Sequence, residues 1–87
     1  MLYFLLDGRR FTSKEASHRY ICKKLGPWRY HDENLDALHD VLTSLPPCCI
    51  RLRQTSALRR AANGYGERIL QVIKDSSAEN PNIDLRL

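Results

Sequence analysis

Residues 34–45, which read NLDALHDVLTSL, contain the strongest structural signal in this chain of 87 residues. Leucines at positions 35, 38, 42 and 45 recur at intervals of three, four and three, which places them along one side of an α-helix. Asn34 precedes the first leucine and is a favourable N-cap, while Asp36 lies near the positive end of the helix dipole. Pro46-Pro47 ends the helix, because proline cannot continue its hydrogen bonds. We therefore predict an amphipathic helix anchored by its leucines.

The opposite side of this helix is acidic and polar. Asp36, Asp40 and Thr43 share it at i, i+4 and i+7, with His39 on the flank. Two aspartates four positions apart repel each other, and no Lys or Arg within the helix relieves that repulsion. Such a face is typical of a solvated helix surface, and it is also the pattern of a site that binds a cationic partner.

The residues before this helix predict a strand, a helix and a loop. Leu2–Leu6 is a continuous apolar run, which favours a strand covered on both faces, and Asp7-Gly8 closes it with a turn. A helix then begins at a capping box, in which the Thr12 hydroxyl caps the first turn and Glu15 reaches back. Gly26-Pro27 ends it, and residues 26–33 form a loop that carries Trp28, Tyr30 and His31.

The residues after the acidic helix predict a second strand, two helices and a last strand. These elements span Cys48–Arg53, Ser56–Ala62, Gly66–Glu79 and Ile83–Leu87. Helical crossovers between successive strands favour a parallel sheet with right-handed connections. We therefore expect one α/β domain over residues 1–87, with a small three-stranded parallel sheet packed with about four helices.

The net charge of +4 is unevenly distributed along the chain. Residues 30–50 contain four acidic side chains and no Lys or Arg, while the rest carries fourteen basic and six acidic side chains, a net charge of +8. No apolar run is long enough to span a bilayer, and the run Met1–Leu6 is too short for a signal peptide. The three cysteines cannot form a complete disulfide framework, so we expect reduced thiols in a cytoplasmic protein.

A second acidic pair and two His-Asp pairs are further candidates for a site. Asp75 and Glu79 lie at i, i+4 near the end of the last helix, where carboxylates oppose the dipole. The pairs His31-Asp32 and His39-Asp40 would need metal ligands on other helices, and only His18 remains, at an expected surface or boundary position. Acid–base catalysis would need a cleft that an exposed helix face does not provide. We expect that the protein binds no metal and no cofactor and that it is not an enzyme.

Residues 30–43, which read YHDENLDALHDVLT, resemble the signature of the barstar family of intracellular ribonuclease inhibitors, a pattern close to Y-Y-G-E-N-L-D-A-L-W-D-x-L-T. Asp7-Gly8 and Asn63-Gly64, the latter followed by Glu67, also resemble family features, so the likeness covers nearly the whole chain. His39 stands where the family has Trp, and Asp32 and Ser44 each replace a glycine. The family is acidic overall, whereas this chain is basic.

The resemblance implies a ribonuclease inhibitor that blocks the cationic active site of a cognate, extracellular-type ribonuclease. It implies that the carboxylate of Asp40 occupies the place of a substrate phosphate, that Asp36 and Asp75 pair with surrounding basic groups, and that the aromatic loop covers the catalytic histidine. We expect the inhibitor to be a monomer that contacts neither nucleic acid nor membrane. The partner-binding residues implied are Tyr30, His31, Asn34, Asp36, His39, Asp40, Thr43, Ser44, Asp75 and Glu79.

Two alternative functions stay open at this point. Basic pairs such as Arg9-Arg10, Lys23-Lys24 and Arg59-Arg60 are what a nucleic-acid-binding module would carry, although they are dispersed over several elements without a known binding motif. The chain could also be a barstar-fold interaction module whose partner is not a nuclease. A gel-shift titration at several salt concentrations discriminates a nucleic-acid-binding module from an inhibitor.

Overall fold

Three parallel strands form the sheet on which the molecule is built, in a computed structural model that describes residues 2–87. The strands are β1 (Leu2–Asp7), β2 (Cys48–Arg53) and β3 (Ile83–Arg86), and their order in the sheet is β1-β2-β3. Ile50 at the centre of β2 lies opposite Phe4 on one side and Leu85 on the other. The predicted α/β fold with a three-stranded parallel sheet is confirmed.

Four α-helices connect and cover the strands within residues 2–87. They are α1 (Lys14–Leu25), α2 (Leu35–Thr43), α3 (Thr55–Arg60) and α4 (Tyr65–Glu79), and 3-10 turns occupy Gly8–Arg10 and Ala61–Gly64. This agrees with the expected number of helices. In the described part of the chain, no helix combines the length and the apolar character needed to cross a membrane.

One face of the sheet is covered and the other is open. Phe4, Leu6 and their neighbours on β2 are buried beneath the helices, whereas Tyr3 is 59% exposed and Leu5 37% exposed. The prediction that the first strand is covered on both faces was therefore wrong. A continuous apolar run does not distinguish the two cases, because alternate side chains on a strand point to opposite faces whatever their chemistry.

The start of α1 differs from the prediction by one residue. The N-cap is Ser13, not Thr12, and its hydroxyl accepts a hydrogen bond of 3.0 Å from the amide of Ala16. Adjacent Thr and Ser are both good capping residues, so the sequence alone could not choose between them. Gly26 ends the helix as predicted, with a φ of +102° that favours glycine.

Four later boundaries also shift, and two of them are the starts of α3 and α4, which lie one residue before the predicted Ser56 and Gly66. The helix predicted to reach Ala62 ends at Arg60, because its C-cap Ala61 is extended, and Ala62 and Asn63 then adopt left-handed backbone angles with φ of 51° and 55°. The predicted last strand reaches Leu87, but the ladder ends at Arg86 and Leu87 is 62% exposed. The alternation of apolar residues at the C-terminal end therefore extends one residue beyond the pairing.

A buried asparagine fixes the end of α4 against the end of α2. The Nδ2 group of Asn80, the C-cap of α4, donates to the carbonyls of Leu42 and Leu45 at 3.0 and 3.1 Å. Its Oδ1 accepts from the amide of Asn82 at 3.0 Å. Asn80 is only 5% exposed, so its amide group depends on these protein hydrogen bonds in place of hydrogen bonds to water.

We predict that Asn80→Ala lowers the free energy of unfolding by about 1–3 kcal/mol, because it removes three hydrogen bonds made by a buried side chain, two to the carbonyls of Leu42 and Leu45 and one from the amide of Asn82. Asn82→Ala is the matched control, since Asn82 is exposed and donates one longer bond, 3.3 Å, to the carbonyl of Leu45. Urea unfolding of both variants measures the difference. Equal losses in the two variants would contradict the assigned role of Asn80.

Candidate functional site

The leucine side of α2 is held in the core and its acidic side faces solvent. Leu38 and Leu42 are 1% and 2% exposed, and Leu45 beyond the helix end is also buried. The side chain of Asn34 caps the helix, as predicted, by accepting a 2.7 Å hydrogen bond from the amide of Ala37. The carboxylates on the other side, those of Asp36 and Asp40, are exposed. The predicted amphipathic helix is confirmed.

Packing of α4 against α2 brings the second acidic pair beside the first. His39 on α2 donates a short hydrogen bond from Nε2 to the carboxylate of Glu79 on α4, across 40 positions of sequence. Asp40 contributes a carboxylate oxygen 3.9 Å from Nδ1 of the same ring. The charge of Asp75 also acts on His39. His39 therefore lies among acidic residues from two helices.

This acidic environment changes the titration of His39. The hydrogen bond with Glu79 raises the pKa of His39 above its ordinary value of 6.5, and the negative charges of Glu79, Asp40 and Asp75 act in the same direction. Partial desolvation opposes the shift without reversing it. The imidazole thus favours its protonated form, which partly offsets the negative charge at the contact between the two helices.

The remaining acidic charge is not neutralised by basic side chains. Within residues 2–87, no Lys or Arg nitrogen lies within 4.0 Å of a carboxylate oxygen of Asp36, Asp40 or Asp75. Lys14 and Arg68 share a surface cleft with Asp36 without forming an ion pair with it. Asp75 accepts a 2.9 Å hydrogen bond from Nε2 of Gln71, and the three carboxylates otherwise retain acceptor capacity for cationic groups.

Arg29 is the basic residue that shares a cleft with Asp40, together with Ser44. Its guanidinium is engaged elsewhere, because Nη1 donates to the carbonyl of Leu25 at 3.3 Å and the group lies 5.9 Å from the ring centroid of Trp28. The Asp40 carboxylate, whose side chain is 86% exposed, consequently has no competing guanidinium in contact with it among the described residues.

Three of the predicted site residues use polar groups to stabilise the ends of α2. The Thr43 hydroxyl donates to the carbonyl of His39 at 2.8 Å, and the Ser44 hydroxyl donates to the carbonyl of Asp40 at 2.9 Å. Asn34 caps the opposite end and donates from Nδ2 to the carbonyl of Asp32 at 3.2 Å. The hydroxyl donors of Thr43 and Ser44 therefore serve the helix itself, while Asn34 caps α2 through its Oδ1 acceptor.

Tyr30 lies inside the protein and not on the surface where the resemblance placed it. It is 1% exposed, and its hydroxyl donates to the carbonyl of Asn34 at 3.3 Å. That hydroxyl also lies 2.5 Å from Nδ1 of His18, whose Nε2 is 2.5 Å from the hydroxyl of Tyr65. Burial of the ring was not foreseeable from sequence, because it depends on α1 and α4 meeting beneath the loop.

His18 is buried, which corrects the expectation of a surface or boundary position. It is 1% exposed, and burial lowers the pKa of its imidazole, so the neutral form is favoured. Since the hydroxyl of Tyr30 donates to Asn34, it accepts from Nδ1–H of His18, and Nε2 then accepts from Tyr65. The network ties the loop and the cap of α2 to α1 and α4.

The exposed rings of the loop belong to Trp28 and His31. Trp28 is 77% exposed and the His31 side chain 71% exposed, and both precede the N-terminus of α2. Trp28 was not among the predicted site residues, although its position in an aromatic-rich loop could have marked it, because exposed tryptophans are enriched at interfaces. Among residues 2–87, no group of three or more His, Cys, Asp or Glu side chains could hold a metal ion.

We predict that the His39–Glu79 bond stabilises the protein most at acidic pH. Folding raises the pKa of His39, so this stabilisation is fully present below the ordinary value of 6.5 and is lost as the pH rises through the folded-state value. His39→Gln should therefore lower the free energy of unfolding more at about pH 5.5 than at about pH 8. Urea unfolding at both pH values measures the difference.

The control is the same substitution in a Glu79→Gln background. There the pH dependence of the effect should be much smaller, because the main cause of the pKa shift is gone while Asp40 and Asp75 remain. A pH dependence of equal size with and without Glu79 would contradict the assignment. His18 titrates in every protein of this cycle and therefore cancels in the comparison.

The comparison with known protein families supports the resemblance noted in the sequence. The family model described as Barstar (barnase inhibitor) matches residues 1–87, the whole of the chain. The chain therefore belongs to the barstar family.

Proposed function

We propose that this barstar-family chain inhibits a cognate, extracellular-type ribonuclease by placing the acidic surface of α2 and α4 against the cationic active site of that enzyme. One observation carries the proposal: Asp36, Asp40 and Asp75 are exposed and have no Lys or Arg partner within residues 2–87. A ribonuclease active site is cationic because it must stabilise a phosphoryl transition state. The charge of the acidic surface is therefore complementary to that of such an active site.

Asp40 occupies the place of a substrate phosphate in this proposal. Its carboxylate projects from the middle of the exposed side of α2 and is 86% exposed. A carboxylate offers an arginine the same two-oxygen geometry as a phosphate, so one guanidinium can bind both oxygens. Because α2 is fixed by its buried leucines, little conformational entropy is lost when the carboxylate becomes ordered in a complex.

The other site residues surround this central carboxylate. Asp36 and Asp75 pair with further basic groups of the nuclease, and Glu79 acts together with His39, to which it is bound. His31 and the exposed side of the loop contact the rim of the active site. Thr43, Ser44 and Asn34 hold the ends of α2, and Tyr30 positions the loop from beneath.

The basic residues outside the acidic segment weaken long-range attraction to a basic nuclease without removing the local complementarity. Charges separated by more than about 8 Å are largely screened at physiological ionic strength. We further propose that the inhibitor acts as a monomer in the cytoplasm. Support for that compartment comes from Cys22, Cys48 and Cys49, all of which are free thiols in the structure.

We predict that Asp40→Ala weakens inhibition of the nuclease by about 2–5 kcal/mol, or about 30- to 5,000-fold, because it leaves a buried arginine of the enzyme unpaired. This range is the one generally measured for interfacial charge pairs, of which the barnase–barstar complex is a standard example. The free energy of unfolding should change by less than about 0.5 kcal/mol, since the side chain is exposed.

The test measures ribonuclease activity against inhibitor concentration, using barnase and any ribonuclease retained from a cell lysate by the immobilised chain. Asp84→Ala is the control, because it also removes one exposed aspartate, one that lies on β3 outside the proposed site and pairs with Arg86. No inhibition of barnase together with no retained ribonuclease would contradict the function. Equal losses for the two variants would contradict the site and would favour a module with a different binding surface.

The buried and the exposed aromatic residues of the loop are predicted to act differently. Tyr30→Phe should lower the free energy of unfolding by about 1–3 kcal/mol, because it leaves Nδ1–H of the buried His18 without an acceptor. Trp28→Ala should leave stability nearly unchanged and weaken nuclease binding by more than about 1 kcal/mol, through loss of an exposed aromatic contact. Thermal unfolding and inhibition assays of both variants measure these effects, and the reverse result would place Tyr30 in the interface.

A further inference from the structure

A basic groove lies next to the carboxyl end of β1, outside the acidic surface. It is lined by Arg9 and Arg10 from the first 3-10 turn and by Arg19 and Lys23 from α1. Thr12 and Tyr20, which carry hydroxyl groups, and Ala16 complete the lining.

Most of the positive charge in the groove is not neutralised. Within residues 2–87, Arg10, Arg19 and Lys23 have no carboxylate oxygen within 4.0 Å. Arg9 does pair with Asp7, donating from Nε and Nη2 to its carboxylate, with a shortest distance of 2.8 Å. The groove thus contains one satisfied ion pair and three cations available to an anionic ligand.

Tyr20 fixes the position of the cations around it. Its hydroxyl accepts a 2.9 Å hydrogen bond from the amide of Asp7, and its ring packs edge-on against the buried Phe11 at 5.2 Å. The guanidinium of Arg10 lies 5.3 Å from the ring centroid, and Nζ of Lys24 lies 5.7 Å from it. These cation–π contacts limit the loss of side-chain entropy when an anion binds.

The 3-10 turn that carries Arg9 and Arg10 is held in place by α3. The first 3-10 turn packs against α3, which ends in the exposed pair Arg59-Arg60. Gly8 makes this close approach possible, because a Cβ at that position would lie 2.2 Å from the carbonyl oxygen of Gln54. The first 3-10 turn and α3 are therefore closely packed, although they are far apart in sequence.

We propose that this basic groove binds the phosphate backbone of a single-stranded polynucleotide. Several cations that line one groove can contact successive phosphates, and a flexible strand can follow a curved surface on a molecule of 31 × 25 × 18 Å. The ring of Tyr20 is occupied by cations and does not serve as a stacking platform, so binding has little sequence preference. The inference revises the sequence-based expectation of no direct nucleic-acid contact and does not depend on nuclease inhibition.

The test is fluorescence anisotropy of a labelled 12-nucleotide single-stranded RNA, titrated with the full chain at salt concentrations from about 50 to 200 mM. The groove variant combines Arg10→Gln, Arg19→Gln and Lys23→Gln. A matched control combines Arg51→Gln, Arg68→Gln and Lys74→Gln. Each lowers the net charge from +4 to +1, so the comparison separates the groove from total charge.

The groove variant should bind at least about tenfold more weakly than the unmodified chain, with a salt slope smaller by about 2, because three phosphate contacts are lost. The control should lose less than about threefold. Thermal unfolding of both variants shows that they are folded, and Asp40→Ala should bind the RNA as the unmodified chain does. Absence of binding at the lowest salt, equal weakening in the two triple variants, or tighter binding of a duplex of the same length would overturn the proposal.

Discussion

The burial of the leucine side of α2 is the interaction on which the rest of the acidic surface depends. Each fully buried leucine contributes about 1.5–3 kcal/mol, whereas the repulsion between Asp36 and Asp40 in an isolated helix costs a few tenths of a kcal/mol. Core packing therefore decides the position of the helix, and the carboxylates follow. The contact of α2 with α4 then adds Asp75 and Glu79 to the same surface.

The acidic and the basic side chains of this protein form separate surfaces. The acidic segment of residues 30–50 forms a surface with the end of α4. Arg9, Arg10 and their neighbours instead surround a groove between the first 3-10 turn and α1. Because screening limits each charge to a short range, a chain with a net charge of +4 can carry a strongly acidic site. Net charge alone is consequently a poor guide to the partner of this protein.

The features predicted correctly are those that depend on residue patterns within a short stretch of sequence. The leucine spacing and the Asn34 cap predicted α2, and the alternation of strands and helices predicted the parallel sheet. The burial of His18 and Tyr30 could not be predicted in this way, because it depends on α1, the loop and α4 meeting in space. The basic groove could not be predicted for the same reason, because its cations come from separate elements. The exposure of the sheet face that carries Leu5 could not be predicted either, because the apolar run of the first strand is unbroken.

The central claim is that the acidic surface occupies the active site of a ribonuclease. Competition for the nuclease between this chain and a nucleotide bound in the catalytic pocket tests that claim most directly. Isothermal titration at increasing nucleotide concentration should show the apparent affinity of the chain falling in proportion, because the two cannot bind together. An affinity that does not change at saturating nucleotide would show that the chain binds outside the active site and would contradict the claim.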